Sequence, residues 1–304
     1  MSNIELASRI TKLKQQKDAV ILAHNYQIGE VQDIADFVGD SLQLSIQASK
    51  AKNSIIVFCG VNFMAETAKI LSPDRKVLMP DNSSTCPMAD MISPKQLKEL
   101  KDKYPGAVVV CYVNSTAEVK ALSDICCTSS NAIDVVNSIP KDKEIIFIPD
   151  KYLGSYIQSQ TGREMILWNG YCPTHVVISA KQIVKLKKEF LDAVVLVHPE
   201  SPPDVIEVAD VVASTGGMLK YASKSKEKRF IIGTETGLIH RLKKENPNKI
   251  FMPASKQAIC PNMKLINLEK ILWALEEEKY EITLPEEIIN KAKKAIDKMM
   301  ALSK

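Results

Sequence analysis

Short apolar runs rich in β-branched residues alternate along this chain with amphipathic stretches whose apolar positions recur at helical spacing. Near the start, "VILAH", "DFVG", "IIVFCG" and "KVLMP" read as buried strands, and "SLQLSIQASKAK" and "NFMAETAKIL" read as helices. Strands alternating with helices predict parallel pairing through right-handed crossovers, with helices on both faces of the sheet.

The pattern occurs three times. The runs "AVILAHN", "AVVVCYVN" and "AVVLVHPE" bring the chain to His24, Tyr112 and His198. Twelve residues after each stands an aspartate, Asp36, Asp124 or Asp210, and seventeen after each a hydroxyl, Ser41, Ser129 or Thr215. Cys86, Cys172 and Cys260 follow the same anchors at 62, 60 and 62 residues. A fixed period marks one supersecondary unit repeated along the chain. The predicted fold class is α/β, with three homologous doubly wound parallel-sheet αβα units around a pseudo-threefold axis. The units span residues 1–87, 88–173 and 174–262, and each first strand is preceded by a helix, at residues 4–16, 93–103 and 179–190. C-terminal helices in residues 263–304, "NLEKILWALEEE" and "PEEIINKAKKAIDKMMAL", are expected to pack back on the repeats.

Composition narrows the function. Hydrophobic residues at 45% and charged residues at 25% are ordinary for a globular chain, so the whole length is expected to fold. A net charge of +4, with basic runs at residues 185–188 and 224–229 beside acidic residues, gives little support for nucleic-acid binding. No run approaches the ~18 apolar residues of a membrane span, and the N-terminal stretch lacks a signal-peptide core. A cytoplasmic protein is therefore expected. In that reducing compartment, an odd count of seven scattered cysteines points to thiols or metal ligands rather than a disulfide framework.

Ligands of open α/β sheets bind beyond the carboxyl ends of the strands. The residues there are polar: His24, Asn25 and Tyr26; Tyr112 and Asn114; His198 and Glu200. Three related units around one axis would bring these exits to a single cleft. They would also bring together the Cys-Pro loops "STCPMAD", "NGYCPTH" and "QAICPNM". Cys86, Cys172 and Cys260 are either buried thiols that precede turn prolines or ligands of one metal group. Three thiolates do not complete a tetrahedral structural zinc site. A four-iron cluster with three cysteine ligands fits better, leaving one iron open as a Lewis acid.

Ser41, Ser129 and Thr215 stand where a second strand hands over to a helix, and are read as N-caps. Three such helix starts around one cleft favour a small ligand bearing carboxylates or a phosphate. His24 and His198, in equivalent positions, strengthen that expectation. Tyr26 and Glu200 are candidates for proton transfer, or else polar wall residues. His175 would touch the cluster or the substrate, or hold its loop. Cys59, Cys111, Cys126 and Cys127 fall within apolar strands and read as core, and His240 reads as structural. Two rivals stay open: an electron-transfer iron–sulfur protein, for which a fourth cysteine ligand is lacking, and a non-catalytic dicarboxylate-binding protein, which has no use for three converging thiols.

The runs "ILAHNYQIGEVQDIADFVGDSLQL", "GVNFMAETAKIL", "CYVNSTAEVKA", "CTSSNA", "PDKYLG", "HPE", "ASTGGM" and "IGTETGLIHRL", with the three Cys-Pro sites, resemble the quinolinate synthase family over nearly the whole chain. The resemblance implies a metal-binding transferase-type condensing enzyme and dehydratase of pyridine nucleotide (NAD) biosynthesis. It would carry one oxygen-sensitive 4Fe-4S cluster and convert iminoaspartate and dihydroxyacetone phosphate into quinolinate, phosphate and two waters. Carried over residue by residue, it makes Cys86, Cys172 and Cys260 the cluster ligands. It puts the substrates' anionic groups near His24, Ser41, Tyr112, Asn114, Ser129, His198 and Thr215, and makes Tyr26 and Glu200 the acid–base pair. Transient contact with the enzyme that supplies iminoaspartate is a further implication. Some members carry a CxxCxxC run near the third ligand; here the run is "CPNMKLIN", so redox control by that route is not expected.

Overall fold

The computed structural model describes residues 1–303. The first unit runs α1 (Asn3–Gln16), β1 (Ala19–His24), α2 (Gly29–Ile34), β2 (Phe37–Gly39), α3 (Ser41–Lys50), β3 (Ile55–Cys59), α4 (Asn62–Leu71) and β4 (Lys76–Leu78). The second runs α5 (Pro94–Lys103), β5 (Val108–Tyr112), α6 (Ala117–Ala121), β6 (Ile125–Cys127), α7 (Ala132–Asn137), β7 (Ile145–Ile148), α8 (Lys151–Thr161) and β8 (Ile166–Leu167). After the short α9 (Pro173–Val176), the third runs α10 (Ala180–Glu189), β9 (Val194–Val197), α11 (Pro203–Glu207), β10 (Val211–Val212), α12 (Thr215–Lys224), β11 (Arg229–Gly233), α13 (Leu238–Glu245) and β12 (Ile250–Pro253). Each unit forms its own four-stranded sheet, in the orders β2-β1-β3-β4, β6-β5-β7-β8 and β10-β9-β11-β12. Every pairing within them is parallel.

The triplication reaches individual hydrogen bonds. The aspartates read from the spacing each accept the backbone N–H of a first-strand residue, Ile21 for Asp36, Val109 for Asp124 and Val195 for Asp210, at 2.8 Å in all three units. Each bond holds the start of a second strand beside the first, which sets where that strand ends. The helices leading into the first strands repeat as well. α1, α5 and α10 begin with the capping boxes Ser2/Glu5, Ser93/Gln96 and Ser179/Gln182, in which serine and Glu/Gln satisfy each other's backbone amides.

The central strands are continuously apolar because helices cover both faces. β3 and β7 have no exposed position. Two further helices complete the chain. α14 (Leu268–Glu277) lays Leu268, Ile271, Leu272 and Leu275 into the same cluster as Leu6 and Ile10 of α1. α15 (Glu286–Ala301) buries Ala292, Ala295, Ile296 and Met299 over α4, α6 and β6, and so spans the first and second units. Between those units, buried Lys120 donates to the Phe63 carbonyl and to Thr67, while Glu66 accepts the Ala117 N–H. No helix of the described residues is long and apolar enough to cross a membrane.

Candidate active site and metal centre

The carboxyl ends of the three sheets open onto one cavity of about 660 Å³, mouth included. The first unit contributes His24, Tyr26, Ser41 and Cys86; the second, Tyr112, Asn114, Ser129 and Cys172; the third, His198, Glu200, Thr215 and Cys260. His175 is buried behind this wall. The spacing thus brings one strand exit, one hydroxyl and one Cys-Pro loop from every unit to the same space.

The backbone amides that follow each Cys-Pro pair favour the thiolate: those of Met88 and Ala89 act on Cys86, that of His175 on Cys172, and those of Asn262 and Met263 on Cys260. Each loop leads into a helical turn, Ala89–Met91, α9 or Met263–Leu265, in which the Ala89 and His175 amides donate to the carbonyls of Cys86 and Cys172. Burial pushes the Cys86 thiol up to about 12 and raises Cys172 and Cys260 as well, while the amides act in the opposite direction. A cation among the three sulfurs would displace their protons outright. Cys172, His175 and Glu200 also offer ligand atoms all within 4.8 Å of one another, so this corner alone has the donors for a metal ion.

Beside the sulfurs runs a chain of polar contacts. The Tyr26 hydroxyl lies 2.6 Å from Thr234 Oγ1, which lies 2.8 Å from His175 Nε2, and His175 Nδ1 lies 2.7 Å from Glu200 Oε2. Tyr112 donates to the other Glu200 oxygen. Burial alone would raise the Glu200 carboxyl, but His175, His198 and the Tyr112 hydroxyl bring it below its ordinary value. Tyr26 and Tyr112 are pushed up, by burial and then by the Glu200 charge, and keep their protons.

The two equivalent histidines share one geometry. His24 Nδ1 accepts the Tyr26 N–H at 3.2 Å, and His198 Nδ1 accepts the Glu200 N–H at 3.3 Å. Burial, aided by a neighbouring imidazole, lowers both to about 3. Each ring is therefore neutral at pH 7, with its proton on Nε2. Neither is a cation, and each has an Nε2–H able to donate.

The three hydroxyls are not the N-caps expected of them. Asp40 caps α3 and Ser214 caps α12, each from extended backbone with its side chain on an amide of the first turn, so Ser41 and Thr215 are the first helical residues. That position frees their side chains to line the cavity. Ser129 precedes α7 by a turn in which Asn131 Oδ1 takes the Thr128 N–H, and it reaches the cavity without capping a helix. The caps meet across the units instead: Ser130 donates toward Asp40 at 3.0 Å and lies 2.8 Å from Ser214. Gly216 allows this approach, since a Cβ there would sit 2.5 Å from the Asp40 carboxylate.

Thr234 was missed by the sequence reading. It follows β11, and the rule that found polar first-strand exits, applied to the third strand of each unit, would have found it. The four strand cysteines are buried as expected. His240 sits at the surface against Asp33, 3.0 Å away.

Comparison with known proteins agrees with this geometry. The family model described as Quinolinate synthetase A protein matches residues 8–301. Curated relatives named quinolinate synthase include one from Thermodesulfovibrio yellowstonii, 55% identical over 96% of this chain and 97% of its own. Another, from Dehalococcoides mccartyi strain 195, is 53% identical over 98% of both chains. One from Methanosarcina barkeri is 51% identical over 99% of both. By fold, by the residues gathered at the three-unit junction and by similarity over nearly its full length, the chain belongs to the quinolinate synthetase A family of enzymes.

Proposed function

We propose that this enzyme condenses iminoaspartate with dihydroxyacetone phosphate to give quinolinate, phosphate and two waters, in the cytoplasm, as a step of NAD biosynthesis. The observation that carries the reading is the convergence of one Cys-Pro sulfur from each unit on a single cavity beside the Tyr26–Thr234–His175–Glu200 chain. The units proposed to supply them are residues 1–87, 88–173 and 174–262.

The donor set suits a 4Fe-4S cluster. Three sulfurs face one space, and among the described residues no fourth cysteine lines the cavity. When bound, the cluster would supply Lewis acidity at the iron that lacks a cysteine. Cys86, Cys172 and Cys260 would hold it. His24 and His198 would donate their Nε2–H groups to substrate oxygens, and Ser41, Ser129 and Thr215 their hydroxyls, near the N-termini of α3 and α12. Glu200, ionised, is the base that draws protons from carbon. Tyr26, protonated, is the acid that delivers them to departing oxygens, and Thr234 and His175 connect the two. Such a site would take iminoaspartate from its producer in transient contact, which spares a hydrolysis-prone imine from water.

An anaerobic assay of the iron-loaded protein tests the reading. Quinolinate should form only when both substrates are present, and the protein should contain acid-labile sulfide in amounts equal to iron. Iron without sulfide would favour a single metal ion on Cys172, His175 and Glu200. Absence of quinolinate from fully loaded protein would reject the activity.

A further inference from the structure

No lysine or arginine lines the cavity among the described residues, although its proposed ligands are anions. One arrangement that compensates starts outside it. Arg241, on α13, donates from Nη1 to Asn25 Oδ1 at 2.9 Å and also to the Val38 carbonyl. Asn25, fully buried just past β1, donates from Nδ2 to Thr215 Oγ1 at 2.9 Å. Thr215 lines the cavity, and its hydroxyl proton has no acceptor among the described residues.

These contacts fix a direction. Arginine only donates, so the Asn25 amide must turn its oxygen to Arg241 and its NH₂ to Thr215. A hydroxyl that already accepts from that NH₂ has its own proton left to give. We propose that Arg241 and Asn25 are positioning residues that orient the Thr215 hydroxyl as a donor to an anionic oxygen of the bound ligand. The guanidinium charge is thereby expressed in the cavity through one amide and one hydroxyl, with no cation exposed to the ligand. The relay also crosses the seam between units, since Arg241 and Thr215 belong to the third and Asn25 to the first. The other two units put Val113 and Pro199 at the position of Asn25, so the device is built once.

The inference rests on the reading that Thr215 touches the ligand, and the test separates the two. Quinolinate affinity is measured for the iron-loaded wild type, N25D, T215V and the N25D/T215V pair. In N25D the carboxylate still accepts from Arg241 but gives nothing to Thr215, whose proton then turns back onto it. T215V should weaken binding on the order of tenfold or more, the range for a hydrogen bond to a charged group. An unchanged affinity in T215V would remove the ligand contact and the relay with it. N25D should weaken binding at least several-fold more in the Thr215 background than in the T215V background, because only the former has a hydroxyl to turn. Equal factors in both backgrounds would mean that N25D acts through charge or packing, and would overturn the relay while leaving the Thr215 contact standing. R241M, which releases the amide to flip, repeats the cycle without adding charge at Asn25. It should raise KM with kcat nearly kept, and its effect should vanish in the T215V background. Persistence there would likewise overturn the proposal.

Discussion

The seven cysteines divide between two regions that treat the same side chain differently. Cys59, Cys111, Cys126 and Cys127 lie in strands, fully buried, and Cys111 and Cys126 are direct register partners. Burial alone pushes Cys59 beyond the range in which it could ionise. Cys86, Cys172 and Cys260 stand in loops at the mouths of three sheets, partly exposed and lining the cavity. The first group packs inside the sheets, where burial would raise Cys111 but Cys126 and Ser115 bring it down to about 7 without opening it to the cavity. The second lines the cavity with thiols that burial raises, so a bound cation would have to ionise them. Backbone context, not residue type, separates the two groups.

The largest effect expected from this contrast is in metal loading. Replacing Cys86, Cys172 or Cys260 singly by Ala should abolish most iron and sulfide incorporation on anaerobic reconstitution, with the circular dichroism of the apoprotein kept. Full loading of any one variant would put that cysteine with the strand group. Next comes E200Q, which should load iron normally yet lose roughly 10²- to 10⁴-fold in kcat, as for removal of a general acid–base group. Normal turnover would return Glu200 to the cavity wall.

A third effect reads the buried imidazoles in the apoprotein. The folded state holds His24 and His198 neutral down to about pH 3, while unfolded histidine titrates near 6.5. Between those values the unfolded chain binds more protons, so stability is fully present above about pH 6.5 and falls as pH drops toward 3. The slope is about 1.4 kcal/mol per pH unit for each imidazole. Denaturant titrations of H24Q should show a shallower acid slope than wild type; identical slopes would place His24 outside the buried pair.

Smaller still, S129A should cost roughly 1–2 kcal/mol in kcat/KM with little change in melting temperature, because Ser129 caps no helix. A large stability loss with unchanged kinetics would restore the capping role. At the bottom, C59A should lose about 1 kcal/mol of stability and leave iron content unchanged, which is the opposite signature to the loop cysteines.

What was legible follows the same divide. Period and hydrophobic pattern revealed the three sheets, the leading helices and the residues at strand ends, since repetition of spacing is a one-dimensional property. The aspartates at twelve residues were visible as a pattern, but their bonds to Ile21, Val109 and Val195 needed the register of β1 and β2 and their counterparts. The cap assignments at Ser41 and Thr215 slipped by one residue because serine, threonine and aspartate are adjacent at these turns, and only backbone dihedrals decide which one caps. Contacts across units, such as Thr234 with Tyr26 or Ser130 with Asp40, join residues 208 and 90 positions apart and leave no local signal.

The central claim is that the loop cysteines hold a cluster whose open iron faces the substrate cavity. It is tested most directly by the EPR spectrum of reduced, iron-loaded protein before and after addition of quinolinate at a concentration shown separately to saturate binding. The account predicts a changed spectrum in the wild type and in C59A alike. A spectrum that stays the same with quinolinate bound would contradict it.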